Sequence, residues 1–434
     1  MKRIISGMLM ICLSTGLNAQ EGLTLEQAIT TGLNKNLNIK IVEKTVDQTT
    51  NDYDKSIGGL LPQVSVTASK SFSNTNVSQQ FLNDPAPREI NGAQSNTFDV
   101  SPTLRWTIFD GLGMFYTRNR LAEQVGLAED DLKVQIENTI AQISNAYYTT
   151  VLEQERLRVL QDALELSSAR VELAKTRYEV GKTSKLEYLQ AQVDYNTDQS
   201  NVLQQTEVVY NAFVDLNRLM GAELHTRYNV ESNFSVEEVL ELQELLQSAN
   251  LNNSGLLRAQ RNREIAFLQT KEVKAEFLPQ ISLNLGYNYN NRNSDAGFLI
   301  SNQSRGFNYG ISASWTILNG FDIKRRQQNA KIVAESRELE VQDLKQQLEA
   351  DIRKAFINYE NSIALRDLEE RNFEIAQENY DIAQERYNIG IATALEIREA
   401  QVSFVQAELR KVQAAFSIQV QEIELNRLAG NNLR

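Results

Sequence analysis

Cysteine, histidine and phosphate-binding glycine loops are scarce or missing in this chain, and each shortage excludes a kind of chemistry. Cys12 is the only cysteine and His225 the only histidine among 434 residues. One cysteine cannot form a disulfide within the chain, and one histidine leaves almost nothing for a histidine-based metal site or a catalytic triad. We find no glycine loop that would bind a phosphate. An enzyme is therefore disfavoured, and we expect no catalytic residue, no cofactor and no metal-binding site.

Proline is also rare, and its positions are more informative than its number. The five prolines fall within two short windows of the sequence, at Pro62, Pro85, Pro87 and Pro102 and at Pro279. Proline interrupts helices because it lacks the backbone N–H and its ring collides with the preceding turn. The long stretches without proline are therefore free to form very long helices.

The first residues have the composition of a secretory signal peptide. Lys2 and Arg3 precede an apolar run, and a small-residue cleavage site ends at Ala19. We expect residues 1–19 to be removed, which leaves a mature chain without cysteine. Lipidation at Cys12 is the alternative, but Ile11 is too bulky for that cleavage site and the apolar run would be short.

The charge and the hydropathy of the rest restrict where the protein acts. The net charge of −12 becomes more negative by two without Lys2 and Arg3, so binding to nucleic acid is disfavoured. No later stretch has 18 consecutive apolar residues, which excludes a transmembrane helix at this stage. An exported chain of this kind is periplasmic, extracellular or an outer-membrane barrel.

The two halves of the sequence share a series of short motifs in the same order, which predicts an internal tandem repeat. Short blocks recur 209 positions apart without a gap over more than a hundred residues, and one further block recurs at a spacing of 217. We expect a first structural repeat over 20–221, a connecting segment over 222–253 and a second repeat over 254–434. The recurring blocks are Trp106-Thr107-Ile108 with Trp315-Thr316-Ile317, Arg177-Tyr178 with Arg386-Tyr387, Leu186-Glu187 with Leu395-Glu396, Ala191-Gln192-Val193 with Ala400-Gln401-Val402, Leu216-Asn217-Arg218-Leu219 with Leu425-Asn426-Arg427-Leu428, and, at 217, Leu61-Pro62-Gln63 with Leu278-Pro279-Gln280.

Four segments alternate apolar and small polar residues, which predicts β-strands near 63–73, 97–108, 280–290 and 306–317. Each is about ten residues long, which is enough for a tilted strand to cross a bilayer around a water-filled lumen. Trp106 and Trp315 occupy matching strand ends, where an aromatic membrane girdle is expected. The connecting segments 73–96 and 290–305 are polar and are predicted to be external loops. A half-buried sheet in a soluble protein has the same alternation and is the alternative.

Four strands in one chain leave two open edges, and open edges cannot face lipid. Because even small barrels need about eight strands, several copies must share one barrel. Two copies give eight strands and three give twelve, and only the wider barrel leaves an obvious channel. The sequence therefore favours three copies.

Each predicted strand pair is followed by a glycine turn and then by a long helical pattern. The first long helix is predicted from about 112 to 178, and return helices over 184–220 and 393–428. About 65 helical residues would extend for about 100 Å. Thr24 with Gln27 and Ser235 with Glu238 have the spacing of capping boxes, and shorter helices are predicted over 37–57 and 254–277. The fold class is therefore an α+β membrane protein, with long antiparallel coiled-coil hairpins and a barrel shared between chains.

These motifs resemble the TolC family of outer-membrane efflux proteins over essentially the whole mature chain. The resemblance is carried by Leu-Pro-Gln before the odd strands, Trp-x-Ile with a following glycine after the even strands, Arg-Tyr-x-x-Gly at the hairpin turns and Asn-Arg-Leu-x-Gly at the ends. It implies a homotrimer with a twelve-stranded barrel in the outer membrane and a twelve-helix tunnel in the periplasm. It also implies two partners, a periplasmic adaptor (membrane fusion) protein and an inner-membrane pump, and the export of small molecules or proteins.

The resemblance also assigns roles to residues at the hairpin turns. Tyr387 corresponds to a gating tyrosine, and Glu396 and Glu399 to acidic residues at the narrowest point, where divalent cations would block the pore. From pattern alone, the two glutamates would belong to a solvated helix face. Ala392 stands where some members have an arginine that helps lock the gate, so we expect a looser closing network. The adaptor-contacting tip would consist of Val180, Gly181, Lys182, Thr183, Ile389, Gly390, Ile391 and Thr393.

Two other functions stay open at this stage. The first is an exported coiled-coil scaffold whose strands form a soluble cap, which would be a water-soluble elongated oligomer. The second is the same duct used as a receptor for a phage or a bacteriocin, which would depend on its external loops.

Overall fold

The computed structural model describes residues 22–56, 59–82, 84–231 and 240–431. The predicted signal peptide with Cys12, and the predicted capping box of Ser235 with Glu238, lie outside these ranges. Within them the chain is mostly helical with one larger antiparallel sheet. The elements in chain order are β1 (Gly22–Leu23), α1 (Leu25–Lys35), α2 (Leu37–Ser56), β2 (Gln63–Phe81), β3 (Asp84–Asp110), α3 (Gly113–Glu179), α4 (Lys185–Met220), β4 (Asn229–Val230), α5 (Leu242–Asn252), α6 (Ser254–Ala275), β5 (Gln280–Ser294), β6 (Ser301–Ser314), α7 (Asp322–Asn388) and α8 (Ala394–Ala429).

The described residues divide into two compact units. The hairpin unit comprises 22–41, 133–231, 240–253 and 347–431, and the sheet unit comprises 42–56, 59–82, 84–132 and 254–346. Helices α2, α3 and α7 contribute residues to both. No helix in the described ranges has an apolar stretch of the length that crossing a bilayer requires.

The helix ends follow from local capping chemistry. The hydroxyl of Thr24 accepts a bond of 3.2 Å from the N–H of Gln27, whose side chain accepts one of 3.1 Å from the N–H of Thr24, as the spacing predicted. Helices α4 and α8 end at Gly221 and Gly430, whose φ angles of 66° and 68° favour glycine. Helices α3 and α7 have 67 residues each, and α4 and α8 have 36 each.

The hairpin unit has two apolar cores, one for each long hairpin. Next to α3 and α4, Ala28 of α1 is buried with Ile143 and Leu216. Next to α7 and α8, Leu245 of α5 is buried with Ile352. Helix α5, at the end of the connecting segment, thus packs beside the second hairpin. At 25 cal/mol per Å² of buried apolar surface, each such leucine or isoleucine side chain stabilises its hairpin by roughly 1.5–3 kcal/mol.

The sheet unit contains four antiparallel strands in the order β2-β3-β5-β6. The prediction of external loops over 73–96 and 290–305 is wrong for most of these residues, because β2, β3, β5 and β6 extend through them. Residues 74–81 and 84–94 continue the pairing of β2 with β3 beyond the end of the β3–β5 ladder at Ser95. Their side chains are mostly polar, with isolated apolar residues such as Val77 opposite Ile90, so the sequence shows no sustained alternation although the backbone pairs.

Trp106 and Trp315 make equivalent hydrogen bonds in the sheet unit. The indole N–H of Trp106 donates to the carbonyl of Leu60 over 2.9 Å, and that of Trp315 to the carbonyl of Phe277 over 3.0 Å. Each acceptor carbonyl belongs to the residue just before a Leu-Pro-Gln block. The proline of that block has no N–H to donate to a neighbouring strand, and the strand begins at the glutamine after it. Trp106 lies four residues before the end of β3, and Trp315 directly follows the end of β6.

Candidate functional site

The turns of the two long hairpins have the same backbone design. Ser184 and Thr393 cap α4 and α8, and their hydroxyls accept bonds of 3.3 and 3.2 Å from the N–H groups of Glu187 and Glu396. Each preceding helix is followed, two residues after its end, by a glycine with positive φ, 73° at Gly181 and 84° at Gly390. The described turns are therefore near copies of each other, and any difference in role arises from their side chains.

The matching arginines and glutamates make different contacts in the two hairpins. In the second hairpin, Arg386 forms an exposed ion pair of 3.2 Å with Glu396. In the first, the equivalent Arg177 and Glu187 both contact Tyr387 of the second hairpin instead. This difference turns a pair of equivalent turns into one asymmetric site.

Tyr387 lies at the centre of that site. Its hydroxyl donates to a carboxylate oxygen of Glu187 over 3.2 Å. The guanidinium of Arg177 lies 4.5 Å from the centre of the Tyr387 ring and donates to the carbonyls of Tyr387 and Asn388 over 2.8 and 3.0 Å. Tyr387 is only 3 % exposed, whereas its counterpart Tyr178 is 40 % exposed and stacks on Tyr188.

The surroundings keep the Tyr387 hydroxyl protonated. Burial raises the pKa of Tyr387, the negative charge of Glu187 raises it further, and Arg177 opposes both effects. The phenol is therefore a hydrogen-bond donor at neutral pH, and Glu187 can accept from it. Glu187 also accepts a bond from the Thr183 hydroxyl. Beneath the tyrosine, an apolar cluster joins α7 to α8 and contacts α3; it consists of Tyr380, Ala383, Tyr387, Ala392, Ile397 and Ala400, with Leu166 and Leu173 packed against it.

A charged network links α8 to the first hairpin. Arg398 of α8 donates to both carboxylate oxygens of Asp198 on α4, over 2.8 and 3.0 Å. Arg170 of α3 donates to Asp194, one helical turn away, over 2.9 Å. The ends of the network are neutral: Ser167 donates to Asp198, and Gln401 donates to Ser167 over 3.0 Å.

Arg170 is the most buried charge of this network. It is 7 % exposed, and burial lowers its pKa although Asp194 acts in the opposite direction. Its Nε and Nη1 atoms have no hydrogen-bond partner among the described residues. The charges of the two arginines balance those of the two aspartates. Because an unpaired buried charge is costly, the network stabilises the contact between the hairpins only while both the arginines and the aspartates are present.

Sequence reasoning missed this network. Asp194 and Asp198 are one helical turn apart, which is also the spacing of a solvated acidic face. Arg398 lies between Glu396 and Glu399 in the sequence, a position that is also typical of a surface counter-ion. Arg398 is 200 positions from Asp198, and Arg170 lies on a different helix 24 positions from Asp194, so no local pattern signals these contacts.

The structure places the other predicted site residues around the turns. Glu396 is partly exposed, and Glu399 is exposed on the next turn of α8. The predicted tip residues line the turns, where all except Thr183 are exposed. Both turns border an open cleft of about 1150 Å³, to which Arg170, Glu187 and Arg398 contribute. In the described ranges, no group of acidic, histidine or cysteine side chains has the arrangement of a metal site.

Comparison with known proteins identifies the family. The family model described as "Outer membrane efflux protein" matches residues 28–222 and 245–431. The chain is 22 % identical over 386 residues to "Outer membrane protein TolC" of Escherichia coli K12, an alignment that covers 86 % of this chain and 75 % of that protein. It is 21 % identical over 384 residues to the TolC of Salmonella enteritidis, covering 86 % and 74 %.

Solved structures share the fold. The CmeC outer membrane channel of Campylobacter jejuni has a TM-score of 0.78 at 17 % identity, over 94 % of this chain and 85 % of that one. The outer membrane protein VceC of Vibrio cholerae has a TM-score of 0.77 at 16 % identity, over 94 % and 97 %.

The protein is thus an efflux channel of the outer membrane with its helices in the periplasm, and it is not an enzyme. A soluble coiled-coil scaffold has no support from these comparisons. With its two long matches to the family model, the chain belongs to the outer membrane efflux protein family.

Proposed function

We propose that three copies of the chain form one export duct. Each copy gives four strands to a twelve-stranded barrel in the outer membrane and two helical hairpins to a twelve-helix tunnel in the periplasm. The observation that carries this proposal is the four-stranded sheet, in which β2 and β6 each have one edge without a partner strand in the described part. Such edges are not tolerated in lipid, and four strands are too few to close a barrel.

We also propose that residues 20–221 and 254–434 are two structural repeats joined by 222–253. The equal lengths of α3 and α7, and of α4 and α8, support this division. The equivalent indole hydrogen bonds support it in the sheet. Trp106 and Trp315 would then contribute to an aromatic girdle at the membrane surface.

The contacts around Tyr387 hold the resting tunnel closed in this proposal. They join the second hairpin to the first in two ways: the Tyr387 hydroxyl donates to Glu187, and the Arg177 guanidinium lies over the Tyr387 ring. Arg398 adds a second connection about three helical turns further along α4, through Asp198. Ala392 is buried in the apolar cluster, so the closing arginine is at 398 rather than at 392. Opening requires both connections to separate.

Glu396 and Glu399 are proposed to surround the aperture. Three copies would bring six carboxylates near one axis, which favours cations and allows divalent ions to block the pore. Arg386 neutralises part of this charge through its pair with Glu396. Glu399 is therefore the stronger contributor of the two.

The exposed turns are proposed to bind a periplasmic adaptor protein, which connects the duct to an inner-membrane pump. Val180, Ile389 and Ile391 are exposed apolar side chains at the turns, as a docking tip requires. Small molecules or proteins would pass from the pump through the duct.

The mass of the mature chain purified from membranes in mild detergent tests the proposal. We expect a trimer that needs detergent to stay in solution. A monomer, a dimer or a particle that is soluble without detergent would refute the shared barrel. Leak conductance in a planar bilayer then tests closure separately, because it is expected to be low in the wild type.

A further inference from the structure

Both halves of the chain build their strand pair with the same register. Gln63 pairs with Arg105 in the first half and Gln280 with Ser314 in the second. These pairs are related by the spacings of the repeat, 217 for the first strand and 209 for the second. The agreement continues along the ladder as far as Thr75 with Ala93, whose counterpart is Arg292 with Asn302. The two β-hairpins, β2–β3 and β5–β6, therefore have equivalent residue pairs along this part of their ladders.

The contact between the two hairpins has a fixed register as well. Leu104 of β3 pairs with Leu285 of β5, and Trp106 pairs with Leu283. A barrel of three copies contains six hairpins, and every hairpin must contact the next one. Two kinds of contact alternate around it, namely β3 with β5 inside a chain and β6 with β2 of a neighbouring copy.

We propose that β6 pairs with β2 of a neighbouring copy in the register that β3 uses toward β5. The repeat spacings convert Trp106–Leu283 into Trp315 with Val66 of the neighbouring copy, and Leu104–Leu285 into Ala313 with Ala68. Thr103–Gly286 becomes Ser312 with Ser69. The partner of each open edge is therefore a second copy of this chain, at stated positions. This inference rests on the proposed trimeric barrel.

The alternation of apolar and polar side chains along β2 and β6 independently supports this register. On the outward face, Tyr309 lies opposite Phe72 and Ala313 opposite Ala68; Lys70, opposite Ile311, is the exception. A slip of one residue would place every apolar residue opposite a polar one, because side chains alternate between the faces of a strand.

The inward face agrees in the same way. Ser312 lies opposite Ser69, and Ser314 lies opposite Thr67 of the neighbouring copy. Within the chain, this face already has such rungs, for example Ser73 with Ser95 at 2.7 Å. Short polar pairs would then continue around the whole lumen.

The absence of cysteine beyond Cys12 allows a direct test by disulfide formation. In a Cys12→Ser background, we would combine Ser69→Cys with Ser312→Cys, and separately Ala68→Cys with Ala313→Cys. Adjacent rungs alternate between hydrogen-bonded and non-hydrogen-bonded pairs, so the two variants sample both geometries. Within one chain, β2 and β6 are three strand spacings apart, about 14 Å. This exceeds the reach of a disulfide, so any bond must join two copies.

Oxidation in outer membranes, followed by non-reducing electrophoresis, is expected to give a covalent trimer that reduction returns to monomer. The matched controls combine Ser312→Cys with Thr67→Cys or Ser71→Cys, which shift the register by two residues on the same face. These are expected to form at least tenfold less trimer.

Three outcomes would overturn the inference. Stronger linkage in a control pair means that the register is shifted, while the barrel itself stands. No linkage in any pair, with a trimeric mass in detergent, means that these edges do not meet in this way. A covalent dimer as the largest product, with a dimeric mass, refutes the three-copy duct as well, so failure of the register and failure of the proposed function are distinguishable.

Discussion

Replacing Arg398 with glutamine is expected to open the resting channel. Arg398 forms two hydrogen bonds with Asp198, and the two side chains are 20 % and 11 % exposed. Without the arginine, Asp198 keeps only the Ser167 hydroxyl, and Asp194 keeps Arg170. Aspartate charges would then remain largely buried with half of their cations removed.

The size of the effect follows from this burial. Removing one partner of a fully buried ion pair costs about 3–5 kcal/mol. The remaining exposure allows water to solvate Asp198 in part, so we expect about 2–3 kcal/mol. If the pair is broken in the open state, the equilibrium shifts toward the open channel by roughly 30- to 150-fold, since each 1.4 kcal/mol is tenfold.

Conductance of purified channels in planar bilayers measures this shift. The matched control is Arg353→Gln, because Arg353 forms an exposed pair with Glu349 on α7, and such pairs contribute about 0–1 kcal/mol. The double variant Asp198→Asn with Arg398→Gln should leak less than Arg398→Gln alone, because no buried charge is left without a partner. Equal conductance in Arg398→Gln and Arg353→Gln would refute the closing role of the network.

Three further changes test the region of the turns. Tyr387→Phe removes a hydrogen bond to a carboxylate, worth about 1.5 kcal/mol, and should raise leak about tenfold; unchanged leak would contradict its gating role. Burial raises the pKa of Tyr387 in the closed state above the ordinary value of 10. Its contribution to closure is therefore complete below pH 10 and is lost as the pH rises through the raised pKa. Opening of the channel at alkaline pH should accordingly be weaker in Tyr387→Phe. Glu396→Ala with Glu399→Ala should weaken block of conductance by divalent cations, and Glu399→Ala alone should have the larger share; full block in the double variant would remove both from the pore. Gly390→Ala should destabilise the turn by about 1 kcal/mol, because its φ of 84° strains any side chain while nothing lies near the added methyl, and an unchanged thermal midpoint would count against that strain.

The helices could be predicted closely from the sequence because their signals are local. Ser184 and Thr393 were placed at the starts of return helices, and both are the N-cap residues in the structure. Glycines at the turns and the lack of proline elsewhere define the remaining ends. Such signals act within one helical turn, so a single sequence reveals them.

The strands and the charged network were harder for different physical reasons. The two-stranded ribbon of residues 74–81 and 84–94 is mostly polar and is held by backbone pairing, so the sequence displays no sustained alternation there. Contacts such as Arg398 with Asp198 exist only after two hairpins have packed. The role of Tyr387 came from family resemblance, and its distinction from Tyr178 required the packed structure.

The two hairpins of the sheet differ in length by an even number of residues. The spacing from Leu-Pro-Gln to Trp-Thr-Ile is eight residues longer in the first half, and the extra residues lie near the turn at Leu82, which is fully exposed. These residues lie beyond the pair of Thr75 with Ala93, so they move the turn outward without changing the register or the faces of the strands below it. The strand ends near this turn can therefore change in length and composition during evolution, or accept an inserted epitope at Leu82, while the residue pairs in the rest of the sheet stay the same.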